Sequence, residues 1–136
     1  MTTTPTASAP VVLVTGATGN LGRAVAEVFS ERGARLALVD RHAEKLSSVF
    51  GEAGEHRMFL VADLTRAQET DALAQAVVKR FGRIDVLCNL AGGFRMGTPV
   101  HGTDSKTWDF LYDLNVRTVQ NMAHAVVPQM QQQGAG

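Results

Sequence analysis

The stretch VVLVTGATGNLG, Val11 to Gly22, runs from an apolar, valine-rich segment into three glycines spaced three apart. A short β-branched run ending in glycine predicts a buried strand. Leu21, Ala24, Val25, Val28 and Phe29 then recur at helical spacing, and Gly33 supplies a stop. Strand, glycine turn and amphipathic helix, in that order, open an alternating α/β pattern.

The pattern continues outward. RLALVD, Arg35 to Asp40, predicts a second strand, and Ala43, Leu46 and Val49 predict a helix broken by Gly51 and Gly54. RMFLVAD, Arg57 to Asp63, predicts strand three. Thr65-Arg-Ala-Gln68 has the form of a capping box, opening a helix through Leu73, Val77 and Phe81 that Gly82 ends. Strand four is expected over Ile84 to Asn89, running into a glycine loop. Phe94 to Thr103 reads as a loop near a site. Asp104 or Thr103 then caps a long helix through Trp108, Leu111, Asn115, Val119, Met122 and Val126, with a kink expected at Pro128. Four nearly all-apolar strands alternating with four helices predict a doubly wound parallel sheet covered on both faces. Residues 1–10 are small and polar and read as a flexible tail. Residues 11–136 read as one domain.

Composition narrows the function classes. Thirteen basic and thirteen acidic residues give zero formal charge, which argues against nucleic acid or a membrane surface as partner. One cysteine excludes an intrachain disulfide framework, and no apolar run reaches the roughly 18 residues of a membrane span. No signal-peptide layout opens the chain, so a cytoplasmic location is expected. His42, His56, His101 and His124 lack the spacing of a metal site. Cys88 reads as a small hydrophobe, and Trp108 and Phe110 as core or interface residues.

The glycine turn carries the first chemical signal. Gly16 allows a tight turn, Gly19 lets backbone approach a pyrophosphate, and Gly22 permits close helix packing. The helix start offers free N–H groups to phosphates. Asp40 ends strand two eighteen positions after Gly22, near the spacing of an acid that holds an adenosine ribose. Such a carboxylate accepts both ribose hydroxyls and repels a 2′-phosphate, so NAD is preferred over NADP. Arg41 is the complication, because a guanidinium can grip that phosphate or stack on adenine. Asp40 could also serve simply as a helix cap.

TGATGNLG (15–22), Asp40, the Ala-Asp-Leu of 62–64, Asn89-Leu-Ala-Gly92 and the Asp-Leu-Asn-Val of 113–116 together resemble the short-chain dehydrogenase/reductase family. The resemblance covers nearly all of the chain after the tail. It implies a Rossmann-type sheet in strand order 3-2-1-4 and an NAD(P)-dependent hydride transfer between nicotinamide and an alcohol or carbonyl substrate. It assigns cofactor contacts to Gly16, Thr18, Gly19, Asn20, Leu21, Asp40 and Arg41. Asp63 is matched to the adenine amino group and Leu64 to the ring. Asn89 would hold the central sheet, and Ala91 and Gly92 would line the ribose. Asn115 matches an asparagine that orders a water in the proton relay. A homo-oligomer is implied, with the long helix between subunits.

Asn115 shares a helical stripe with Leu111, Val119, Met122 and Val126, which predicts a buried amide facing the sheet. A plain structural hydrogen bond would explain it equally well without the resemblance. Two departures stand out. Asn20 occupies a position where the commonest branch of the family has glycine, and Leu90 replaces a second asparagine. The family's serine and its Tyr-x-x-x-Lys pair are missing: Tyr112 is followed four residues on by Val116, and no lysine follows Lys106. The chain is therefore expected to be the inactive N-terminal portion of a longer enzyme. Its strand four would leave an open edge prone to association. A non-catalytic dinucleotide-binding module is the alternative, favoured by the glycine spacing. A methyltransferase would not predict the Asn89-Leu-Ala-Gly92 loop.

Overall fold

The computed structural model describes residues 8–136. Of the expected tail, Met1 to Ala7 lie outside the described residues. The carbonyls of Ala9 and Pro10 accept from the Arg35 guanidinium at 3.2 Å and the Arg35 amide at 2.9 Å. The elements are β1 (Val11–Thr15), α1 (Asn20–Glu31), β2 (Arg35–Asp40), α2 (Ala43–Phe50), β3 (Arg57–Val61), α3 (Ala67–Phe81) and β4 (Val86–Cys88). A short 3-10 turn, Val100–Gly102, precedes α4 (Ser105–Tyr112), a π-helical turn (Asp113–Arg117) and α5 (Thr118–Gln133). All strand pairings are parallel, in the order β3-β2-β1-β4. The strand order implied by the resemblance holds.

Strand periodicity divides the core in two. Val11, Leu13, Ala37 and Val39 point to one face and pack with Leu73, Val77 and Phe81 of α3 and Met122 and Val126 of α5. Val12, Val14, Leu36 and Leu38 point to the other and pack with Ala26 of α1 and Leu46 of α2. Successive side chains on a strand face opposite ways, so a central strand between two helix layers must be apolar at every position. β1 meets that demand along its whole length. Each large side chain so buried contributes about 1.5–3 kcal/mol by leaving water.

Three local expectations are corrected. β4 is shorter than Ile84 to Asn89, because the Ile84 backbone is engaged elsewhere. The Gln133 side chain accepts from the Ile84 amide at 2.9 Å and donates to its carbonyl at 2.8 Å, occupying both groups. The capping box at Thr65 to Gln68 does not form. Asp63, a charged and stronger acceptor, takes both the amide (3.0 Å) and the hydroxyl (2.7 Å) of Thr65, so α3 starts at Ala67 after Arg66. The long helix is not one regular helix. Its π-helical turn inserts a residue and shifts the buried stripe to Thr118, Met122 and Val126, leaving Asn115 and Val119 exposed. Asp104 does cap α4, accepting from the Thr107 amide at 2.8 Å. α5 continues past Pro128 to Gln133.

Asp85 pins the start of β1 to that of β4. One carboxylate oxygen accepts from the Val11 amide at 2.8 Å, and the other from Arg83 at 2.7 Å. Burial works to raise its carboxyl. The Arg83 hydrogen bond, the Val11 amide and the charges of Arg83 and Arg35 outweigh it and hold the group below the usual carboxylate range. A carboxyl lowered in the folded state stabilises the fold above its unfolded value, and that contribution disappears as the pH falls through the folded value. The midpoint of thermal unfolding is therefore expected to drop as pH falls below about 4. Asp85→Asn should lower the midpoint at neutral pH and flatten the acid limb, both read by circular dichroism melts across pH 2–7.

Candidate functional site

The turn between β1 and α1 lies at the carboxyl end of the sheet, where β1 stands between its two neighbours. Gly16 has φ +61, and a Cβ there would meet the Ala91 amide and Leu90 carbonyl at 2.8 Å. Only glycine tolerates both the left-handed backbone and that approach. A Cβ on Gly22, in the first turn of α1, would collide with the Gly16 carbonyl and stand 2.8 Å from the Ala17 Cα. The glycine at 22 thus brings helix backbone onto turn backbone. The Gly19 amide donates to the Gly16 carbonyl at 3.1 Å, and the first intrahelical acceptor is the Gly19 carbonyl, taking the Arg23 amide at 2.9 Å. The amides of Asn20, Leu21 and Gly22 precede that bond and have no acceptor within the helix.

Beside the turn is a cavity of about 220 Å³. Its wall comes from the carboxyl ends of all four strands: Gly16 after β1, Asp40 and Arg41 at β2, Ala62 to Thr65 after β3, and Ala91 and Gly92 after β4. Leu114 and Thr118 close it from the helical side. The fold therefore gathers Gly16, Asp40, Arg41, Asp63, Leu64, Ala91 and Gly92, seven of the residues singled out from sequence, around one space. Thr18, Gly19, Asn20 and Leu21 belong to the adjoining turn and first turn of α1, and Asn89 lies just past β4.

Asp40 is half-buried, and both its oxygens are engaged. Oδ2 accepts from the Thr18 hydroxyl at 2.6 Å and Oδ1 from the Arg41 amide at 2.8 Å. It does not cap α2, whose preceding residue is His42. Arg41 and Lys45 line the same cavity and set cationic groups beside the acid, and His42 lines it too. Asp63 sits across from Asp40. The hydrogen bond from the Thr65 hydroxyl lowers its carboxyl; burial opposes this, while the Thr65 amide and the charges of Arg41 and Arg66 add to it. The Asp63 amide donates to Glu69 at 2.7 Å, which fixes the loop entering α3.

Several positions escape a sequence reading. The Thr15 hydroxyl accepts from the Leu90 and Ala91 amides, both at 3.1 Å, and donates to the Cys88 carbonyl at 3.4 Å. It is thus the side chain that ties the loop after β4 to β1. Asn121 on α5 donates to the Leu64 carbonyl at 2.9 Å. Thr15 opens the TGATGNLG motif, but the motif does not name its partners, and nothing in the sequence marks Asn121. Thr118 had a visible signal in its spacing of four from Met122, but the run through Asn115 and Val119 concealed it.

Asn115 meets the glycine loop and not the sheet. Its Oδ1 accepts from the Gly93 amide and its Nδ2 donates to the Gly93 carbonyl, both at 3.0 Å, and Nδ2 also donates to the Leu111 carbonyl at 2.9 Å. The buried amide expected from a regular helix is therefore an exposed one, because the π-helical turn rotates it out of the stripe. Two residues beyond Gly92 a second hollow begins, of about 660 Å³, between the 94–104 loop and α4. Phe94, Met96, Val100 and Trp108 make much of its lining apolar, and Arg95 stacks at 3.9 Å over Phe110. Burial raises the Cys88 thiol, as suits a packing residue.

The family model described as short chain dehydrogenase matches residues 10–136. D-threitol dehydrogenase of Mycolicibacterium smegmatis is 37% identical over 130 residues, covering 93% of this chain and 49% of that protein. The 3-ketoacyl-(acyl-carrier-protein) reductase of Brucella melitensis, solved with NADH, superposes with TM-score 0.85 at 30% identity, over 92% of this chain and 52% of that one. A metagenomic short-chain oxidoreductase solved with NADP superposes with TM-score 0.83 at 32% identity, over 93% and 59%. The chain thus spans about half the length of the curated relatives it matches. Among the described residues, no helix is long and apolar enough to cross a membrane. Fold, strand order, glycine turn and family match converge: the chain belongs to the short-chain dehydrogenase family.

Proposed function

We propose that these residues form the dinucleotide-binding part of a cytoplasmic NAD(P)-dependent oxidoreductase that interconverts an alcohol and a carbonyl compound, with NAD preferred over NADP. The observation that carries this reading is the placement of Asp40: a carboxylate held at both oxygens, on the wall of a cavity that the glycine turn also lines. A nicotinamide dinucleotide fits the residues present. Gly16, Asp40, Asp63, Ala91 and Gly92 line one crevice, and amides with no acceptor within the helix open α1 beside it. When bound, it supplies the hydride chemistry.

The chain's own residues would bind and orient. The amides of Asn20 and Leu21, with Gly16, Thr18 and Gly19, would face the diphosphate. Asp40 would accept the adenosine ribose hydroxyls, with Arg41 flanking. Asp63 has one oxygen occupied by Thr65 and would present the other to the adenine amino group, beside Leu64. Ala91 and Gly92 would line the second ribose, with Asn89 at their base. Asn115 fixes Gly93 and would order a water on the proton path. The D-threitol dehydrogenase among the relatives supports a small alcohol or carbonyl as substrate. Trp108 and Tyr112, one turn apart on α4, are half exposed, which supports a homo-oligomer built on that helix.

Two measurements test the reading. Calorimetric titration should show NAD+ binding more tightly than NADP+. Asp40→Ala should weaken NAD+ about tenfold or more, as expected for losing hydrogen bonds to a charged group, and should narrow or reverse the preference. Absence of binding by the unaltered chain overturns the proposal. The second concerns turnover: the family's serine and Tyr-x-x-x-Lys pair do not occur in these 136 residues. Incubated with NADH or NADPH and a panel of aldehydes and ketones, the chain should give no sustained loss of absorbance at the reduced-nicotinamide band.

A further inference from the structure

Asp40 stands in a cationic neighbourhood. Arg41 and Lys45 line the same cavity, yet among the described residues the acid forms no ion pair with either. Its Oδ2 is taken instead by the Thr18 hydroxyl at 2.6 Å, across 22 residues of sequence. Thr18 is not part of the cavity wall: its backbone belongs to the turn, and its hydroxyl reaches the ligand space through the acid it holds. The adjacent Ala17 amide donates to the Val39 carbonyl at 3.1 Å, so backbone and side chain together fasten the turn to the end of β2.

A carboxylate has about four acceptor sites. Thr18 occupies one on Oδ2 and the Arg41 amide one on Oδ1, which leaves one on each oxygen for a vicinal pair of hydroxyls. We propose that Thr18 is a positioning residue for cofactor selectivity: its hydroxyl holds Asp40 away from Arg41 and Lys45 and aims its remaining acceptor sites at an unphosphorylated ribose. The inference rests on the dinucleotide reading above and adds to it the source of the discrimination. Without the hydroxyl, the carboxylate is free to swing onto the neighbouring guanidinium or ammonium. Ribose binding would then have to break that pair, at a cost in affinity. For a 2′-phosphate two effects oppose each other, since the carboxylate that swings aside repels it less while the guanidinium it engages grips it less, so its binding would change less.

The test compares NAD+ and NADP+ by calorimetry on the unaltered chain, Thr18→Val, Thr18→Ser, Asp40→Ala and the Thr18→Val/Asp40→Ala double variant. Valine keeps the shape and removes the donor. It should weaken NAD+ by about tenfold, the scale of a hydrogen bond to a charged group, and NADP+ by less than about twofold. Serine should restore most of the NAD+ affinity. In the Asp40→Ala background the valine should have no further effect, because the group it positions is gone. A valine that weakens both nucleotides equally, a serine that fails to rescue, or additive effects in the double variant would each overturn the proposal while leaving dinucleotide binding intact. No NAD+ binding by the unaltered chain would overturn both.

Discussion

Backbone packed directly on backbone, with no side chain between, is the constraint on which the carboxyl edge of this sheet depends. The first turn of α1 lies against the Gly16 carbonyl, and Gly16 itself lies against the chain leaving β4. The turn, the start of α1 and the distant chain leaving β4 thereby meet at contacts that a single methyl group would pry apart. One result is structural, since the helix sits at a fixed height over the strand. The other is chemical, since amides with no acceptor within the helix open α1 beside the crevice where the strand order reverses, the place where open α/β sheets take ligands.

Around that contact, short polar side chains fasten each loop to a neighbouring strand or helix. Thr15 holds the loop after β4, Thr18 holds Asp40, Asn121 holds Leu64 and Asn115 holds Gly93. Loops carrying chemistry are otherwise the most mobile part of such a fold. Here each has at least one cross-link to another element, so groups aimed into the crevice are ordered by the protein in advance. The apolar layers on the two faces of the sheet supply the stability; the polar ties supply the aim.

The π-helical turn before α5 shows how one extra residue changes what a helix presents. A regular helix would bury Asn115 and Val119 along with Met122 and Val126. With the insertion, Thr118 takes the buried place and Asn115 turns to the glycine loop. Such turns recur at functional positions because they redirect one side chain while the helix on either side stays packed. The fault in the sequence reading was to assume one uninterrupted period of 3.6. At Thr65 to Gln68 the fault was of another kind, as a nearby carboxylate outcompeted the expected hydroxyl cap.

Strand alternation, the glycine spacing from Gly16 to Gly22, and Asp40 closing the second strand were legible without coordinates, because each is a local demand. A central strand between helix layers needs apolar residues throughout, a left-handed turn needs glycine, and a helix stop after Phe81 needs Gly82. The family resemblance also lay in these short motifs. Tertiary structure alone decided which polar groups meet: Thr15 with Leu90 and Ala91, Thr18 with Asp40, Gln133 with Ile84, Asn121 with Leu64. These pairs span 22 to 76 residues of chain, and a hydroxyl or amide has no periodic signature that names its partner. Period and composition record what one segment requires of its surroundings, whereas a hydrogen bond between segments depends on where the whole packed core has set them.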